Sequence, residues 1–261
     1  MNRNKIRVLA FYLPQFHPIP ENDKWYGKGF TEWTNVGKAK PLFRGHYQPR
    51  VPADLGYYDL RVPETRQAQA DMAREYGVEA FCYWHYWFGN GRRLLERPFN
   101  EVLESGKPDF PFCLAWANHS WRGIYNGVKT KESLIDQTYG GLSDYERHFY
   151  DVLPAFEDKR YVTVDGKPFF LIFAPAEIPD SREFIDCWQR LAARNGLTGI
   201  HFVAHTYQPN DIDNFLSMGY DAVNVVRLFE YQRIGISFVQ KVLNKVNREV
   251  FKHGFWCQYK D

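Results

Sequence analysis

Six strand-length runs of almost continuous apolar residues recur along the chain, spaced by segments of helical pattern. The runs are Ile6–Leu13, Val78–Tyr86, Pro111–Asn118, Phe169–Ala174, Gly199–Thr206 and Asp221–Val226. A strand with one face in water alternates apolar and polar residues, whereas an unbroken apolar run belongs to a strand covered on both faces. The segments between read as helices. Pro63 and Glu64 suit a first turn and Gly77 a stop, predicting a helix to about Tyr76. Further helices are predicted over Arg93–Glu104, Ser143–Leu153, Ser181–Asn195 (with Gly196 as its cap), Asp211–Met218 and a basic Ser237–Phe251. Alternation of this kind specifies a parallel sheet with helices outside it, an α/β fold of the (β/α)8 TIM-barrel type. Only about six of the eight βα units are present. With no repeat or linker to divide it, the chain reads as one barrel domain over residues 1–261.

Composition narrows the partners. Lys+Arg 33 against Asp+Glu 31 gives a net charge of +2, which removes the electrostatic argument for nucleic acid or a membrane surface. Lys241, Lys245, Arg248 and Lys252 fall at helical spacing and read as a solvated face. No apolar stretch approaches the ~18 residues that span a bilayer, so no membrane insertion is expected. The N-terminal apolar run is interrupted by Arg7 and ended by Pro14, unlike a signal peptide. Four cysteines without a C-x-x-C pair read as small buried hydrophobes, and the expected location is the cytoplasm. Aromatic residues make up 18% of the chain, a surplus that calls for an aromatic core or an aromatic-lined cleft.

Barrels of this type build their sites at the C-terminal ends of the strands. Those positions carry Gln15 and His17 after the first run, and Tyr83, His85, Tyr86 and Trp87 at the second. Trp116, Asn118, His119 and Trp121 follow at the third, and His205–Gln208 at the fifth. The long first loop adds Trp25, Glu32, Trp33 and Asn35. Flat aromatic faces beside fixed amides, imidazoles and a carboxylate suit sugar rings, which have apolar C–H faces and polar rims. His85, His119 and His205 lie at three strand ends, as metal ligands can. No His-x-His pair or late carboxylate accompanies them, so neither a metal nor another cofactor is expected. No phosphate-binding loop occurs.

The segments FYLPQFHPIPENDKWYGKGFTEWTNV, HYQPRVPADLGYYDLR, GVEAFCYWHYWF and FPFCLAWAN resemble the WbsX-like family, also described as glycoside hydrolase family 99-like after the endo-α-mannosidases. VDGKPFFLIFAP and YDAVNVVRLFEY extend the resemblance towards the last residue. It implies a (β/α)8 enzyme hydrolysing or remodelling glycosidic bonds of a bacterial polysaccharide. Many members carry a glycosyltransferase label in lipopolysaccharide or O-antigen biosynthesis, which is the alternative activity. A non-catalytic carbohydrate-binding remnant is another. In the hydrolase relatives two glutamates in a pattern like N-E-W-x-E do the chemistry, and that pattern does not occur in these 261 residues. Trp116-Ala117-Asn118-His119 also stands where the family commonly has Trp-Ala-Asn-Glu. Glu32 is then the best-placed carboxylate for catalysis, and the other strand-end residues are expected to bind an oligosaccharide or polysaccharide. Two further βα units are expected beyond Asp261. Residues 1–261 alone are expected to be inactive and to associate through their exposed sheet edges.

Overall fold

A computed structural model of the protein describes residues 6–42, 45–122 and 133–228, together with positions 239, 242–243 and 245–246. The chain opens with strand β1 (Leu9–Tyr12), then helices α1 (Pro20–Tyr26), α2 (Glu32–Lys38) and α3 (Pro63–Glu75). Strand β2 (Ala80–Trp87), the short β3 (Arg93–Leu94), helix α4 (Arg97–Ser105) and strand β4 (Phe112–Trp116) follow. A hairpin of β5 (Trp121–Arg122) and β6 (Ser133–Ile135) leads to helix α5 (Leu142–Phe156). The rest comprises β7 (Thr163–Val164), β8 (Lys167–Ile172), α6 (Ser181–Arg194), β9 (His201–Thr206), α7 (Ile212–Ser217) and β10 (Ala222–Val225).

The main sheet runs in the order β1-β2-β4-β8-β9-β10, and each neighbouring pair is parallel. These are the six expected strands in chain order, each reached from the last by a crossover. The sheet is curled. Phe11 on β1 and His205 on β9 have ring centroids 6.3 Å apart, although three strands separate them in the sheet order. On a flat sheet those strands would lie about 19 Å apart at the usual spacing. The fold is therefore part of a (β/α)8 barrel, with six of its units in place. Among the described residues, β1 and β10 are each paired along one edge only.

The structure shifts two expectations. The segment between β1 and β2 contains α1 and α2 rather than loop alone. Pro20 occupies the first turn of α1, and Thr31 caps α2 by accepting from the Trp33 amide while its own amide donates to Thr34. Helix α4 starts at Arg97, not Arg93, because Arg93 and Leu94 pair antiparallel with β2 and Pro98 suits the helix's first turn. The basic helix expected over residues 237–251, with Lys241, Arg248 and Lys252, lies largely outside the described residues, as do His253 and Cys257. Among the described residues no helix is long and apolar enough to cross a membrane. Cys82, Cys113 and Cys187 are buried free thiols.

The main core lies between the outer face of the sheet and the helices. Trp188 of α6 is fully buried there against Phe149, Phe156, Phe170, Phe184 and Phe202, and its indole N–H donates to the Tyr145 carbonyl at 3.0 Å. Replacing Trp188 with Ala removes that packing and the indole's hydrogen bond to the Tyr145 carbonyl. The expected cost is about 3–5 kcal/mol. A urea titration checks this, and a loss below about 1 kcal/mol would place the core elsewhere.

Candidate functional site

Alternation along a strand sends neighbouring side chains to opposite faces, and on β2 this sorts the candidates sharply. Tyr83, His85 and Trp87 point outward, into the helical layer. Tyr83 packs on Phe99 of α4 and on Phe112. Trp87 stacks on His148 of α5 with ring centroids 4.7 Å apart and planes 5° from parallel. The Nε2 atoms of His85 and His148 lie 2.8 Å apart, so one donates its proton to the other's lone pair. Trp116 faces the same layer, donating from its indole to the Trp87 carbonyl at 2.9 Å and packing on His148 and Phe184. These four sequence candidates are core residues by position.

Three others hold loops in place. Asn118 is fully buried and bridges the ends of β4 and β8: its Nδ2 donates to the Ala174 carbonyl at 2.8 Å, and its Oδ1 accepts from the Ala174 amide at 2.7 Å. His17 is buried and donates from Nδ1 to the Pro14 carbonyl at 2.6 Å, closing the turn after β1. Trp33 donates to the Tyr58 carbonyl at 2.8 Å and packs among Phe16, Tyr57 and Tyr58, which fastens α2 to the following loop.

The inner face of the curled sheet holds a different set. Phe11 and Trp84 stack with centroids 4.7 Å apart and planes 5° from parallel. Phe173 meets Trp84 edge-on at 5.6 Å and His205 face-on at 5.0 Å, and His119 lies 5.0 Å from Phe173 on another side. Tyr207 stands edge-on to His205 at 5.3 Å. Asn224 on β10 approaches His205, its register partner on β9, with Nδ2 2.9 Å from Nδ1.

A polar rim sits above, at the C-terminal end of β2. Tyr86 is hydrogen-bonded to Gln15, and burial, assisted by the charge of Glu32, raises its phenol well above the usual range. Glu32 accepts from Asn35 Nδ2 at 3.2 Å, and its backbone N–H donates to the Gln15 carbonyl. Trp121 packs edge-on against Tyr86 at 5.1 Å, and Trp25 packs against Trp121 at 6.0 Å. Gln15, Trp25, Glu32, Asn35, Tyr86 and Trp121 thus come together at one mouth, with His119 beside the inner aromatic group.

The sequence marks His205 as a strand-end residue and weighs it as a metal ligand, but it does not single out Phe11, Trp84, Phe173 or Asn224. Only strand parity distinguishes Trp84 from Tyr83 and His85, and a strand apolar on both faces conceals its parity. His85 and His205 lie on opposite faces of the sheet and cannot share an ion. Among the described residues no group of three His, Cys, Asp or Glu is arranged to hold a metal.

Burial lowers the His85 and His148 imidazoles well below their usual range and lowers His17, His119 and His205 as well. A histidine whose pKa is depressed on folding binds fewer protons folded than unfolded. Its contribution is complete above the unfolded value, near 6.5, and is lost as the pH falls below it. Stability measured by urea titration should therefore be flat from pH 8 to 7 and fall below pH 6.5. Each fully buried ring contributes a slope of up to about 1.4 kcal/mol per pH unit. A midpoint unchanged between pH 7.5 and 5.5 would contradict the neutral His85–His148 pair.

Over residues 8–260 the chain matches the family described as Glycosyltransferase WbsX. Two uncharacterized WxcX proteins, from two strains of Xanthomonas campestris pv. campestris, are each 42% identical to it over 217 residues. That stretch is 82% of this chain and 30% of each relative, so the chain spans under a third of their length. A solved structure of the GH99 endo-α-mannosidase from Bacteroides thetaiotaomicron, in complex with bis-tris-propane, aligns with TM-score 0.53 at 13% identity, covering 84% of this chain and 58% of that one. A second structure of that enzyme gives 0.51 at 15% identity, covering 84% and 60%. A glycoside hydrolase-like protein gives 0.52 at 15% identity, covering 95% and 69%. At such identities the likeness speaks for the fold.

Proposed function

We propose, from the premise that this chain belongs to the glycosyltransferase WbsX family, that its barrel mouth binds the sugar rings of a bacterial polysaccharide and contributes to breaking or remodelling a glycosidic bond. One observation carries the reading. At the C-terminal end of β2, Glu32, Asn35, Gln15 and Tyr86 form a hydrogen-bonded rim above an inner face of aromatic rings. The partly exposed rings of Trp84, Phe173 and Trp25 offer apolar surface to sugar C–H faces, and the rim offers donors and acceptors to hydroxyl groups.

Glu32 is the carboxylate of this arrangement. Asn35 holds one of its oxygens, which leaves acceptor capacity for a sugar hydroxyl or for a proton moving to or from a glycosidic oxygen. A glycosidase of the usual kind needs a second carboxyl group, about 5–5.5 Å away in a retaining enzyme and farther in an inverting one. The N-E-W-x-E pattern that serves the hydrolase relatives does not occur in these residues. The chain's own contribution is therefore sugar binding and one acid–base group. With a nucleotide sugar as glycosyl donor and a sugar hydroxyl in place of water as the attacking group, the nucleotide leaves and the same mouth serves as a transferase acceptor site.

The test pairs a panel of lipopolysaccharide-core, O-antigen and α-mannan oligosaccharides with the protein and its Glu32→Gln variant. Binding is read by tryptophan fluorescence, and turnover by new reducing ends or, with a nucleotide sugar added as donor, by release of nucleotide. Glu32→Gln keeps size and one acceptor but loses the charge, so affinity or turnover should fall roughly tenfold or more, as for a hydrogen bond to a charged group. An unchanged affinity and rate would remove Glu32 from the site. Absence of any binding in the panel would defeat the carbohydrate reading.

A further inference from the structure

His205 carries a buried polar atom that no other described residue uses. The residue is 5% exposed, and its Nε2 is buried with no hydrogen-bond partner among the described residues. Such an atom is costly to leave unpaired and calls for an explanation. Its other nitrogen is engaged: the Asn224 amide nitrogen lies 2.9 Å from Nδ1. An amide NH2 can only donate, so Nδ1 must present its lone pair, and a neutral imidazole then carries its proton on Nε2. Phe173 covers one face of the ring and Tyr207 stands against it, while Phe11 and Trp84 lie edge-on across the barrel at 6.3 and 6.4 Å. The ring is therefore fixed in orientation as well as in tautomer.

We infer that Asn224 sets His205 as an Nε2–H donor aimed into the barrel, where it binds an oxygen acceptor on a sugar ring seated among Trp84, Phe173 and Tyr207. This rests on the carbohydrate reading above and assigns it a recognition residue pair, His205 as the donor and Asn224 as the residue that positions it. The two strands supply the pair through their register, since His205 and Asn224 are direct partners on β9 and β10. Burial lowers the imidazole's pKa, in keeping with a neutral ring that offers one donor. A neutral donor of this kind accommodates a hydroxyl or ring oxygen without demanding a charged sugar.

Exchanging the donor at position 224 for an acceptor tests it. In histidine-labelled protein at pH 7.5, two-bond 1H–15N correlation spectra should show a protonated Nε2 and an unprotonated Nδ1 at His205. In Asn224→Asp the carboxylate accepts from Nδ1–H, so the pattern should reverse. Affinity for the oligosaccharide panel should then drop roughly tenfold or more, because Nε2 has become an acceptor. His205→Gln, which places an amide donor near the Nε2 position, should bind within a few-fold of wild type, and His205→Phe should not. An unprotonated Nε2 in the wild type overturns the tautomer. Unchanged affinity in Asn224→Asp with a reversed tautomer overturns the recognition role. A wild-type protein that binds none of the panel defeats the carbohydrate reading and the sugar acceptor together, and the spectra still decide the tautomer on their own.

Discussion

A parallel strand covered on both faces must divide its side chains between two environments, and the whole molecule depends on how β2 makes that division. Its outward residues meet α4 and α5, where Tyr83, His85 and Trp87 complete a dry aromatic layer with Trp116 and His148. Its inward residues, Trp84 and Tyr86, meet the partners that the curl of the sheet brings across the barrel. Moving the register by one residue would exchange the two sets. It would put the His85 imidazole in the mouth, parted from His148 on α5, and leave Trp84 wedged against a helix. The close approach of Phe11 to His205 across three intervening strands shows that the curl and the inward set belong together.

The polar groups hold this geometry at its ends. Asn118 continues the pairing of β4 with β8 by side chain where the backbone ladder stops, satisfying both polar groups of Ala174. His17 closes the turn that returns the chain from β1 over the mouth, and the Thr31 cap starts α2 at Glu32. Side chains that looked like ligand-binding groups in a strand-end inventory are thus partly the means by which the strand ends keep their places. Buried polar groups are kept by hydrogen bonds, and a strand end has several to satisfy.

The order and parallel pairing of the strands were legible because each apolar run is long, bounded, and separated from the next by a helical pattern. Gln15, Tyr86 and Trp121 from the strand ends and Glu32 and Asn35 from the first loop lie close together in the structure. What the sequence conceals is the side of the sheet. FCYWHYW on β2 is apolar or aromatic at every position apart from His85, so neither face is marked, and Tyr83 and Trp87 read as readily into the cleft as Trp84 does. Phe173 and Asn224 were hidden for a related reason: an interior residue and a buried strand residue look alike until the register with the neighbouring strand is known. Short helices α1 and α2 carried their signals in Pro20 and Thr31, but at seven residues each they left no periodic stripe to read.

The most direct test is alanine scanning along β2, with stability and oligosaccharide affinity measured on every variant. Tyr83→Ala, His85→Ala and Trp87→Ala should lose about 2–5 kcal/mol of stability while the folded fraction binds as wild type does. Trp84→Ala, at a partly exposed position, should lose less stability but roughly tenfold or more in affinity, and Tyr86→Ala, at a buried one, should lose both. Binding lost through the outward residues and retained without the inward ones would contradict the division of faces on which this account of the site depends.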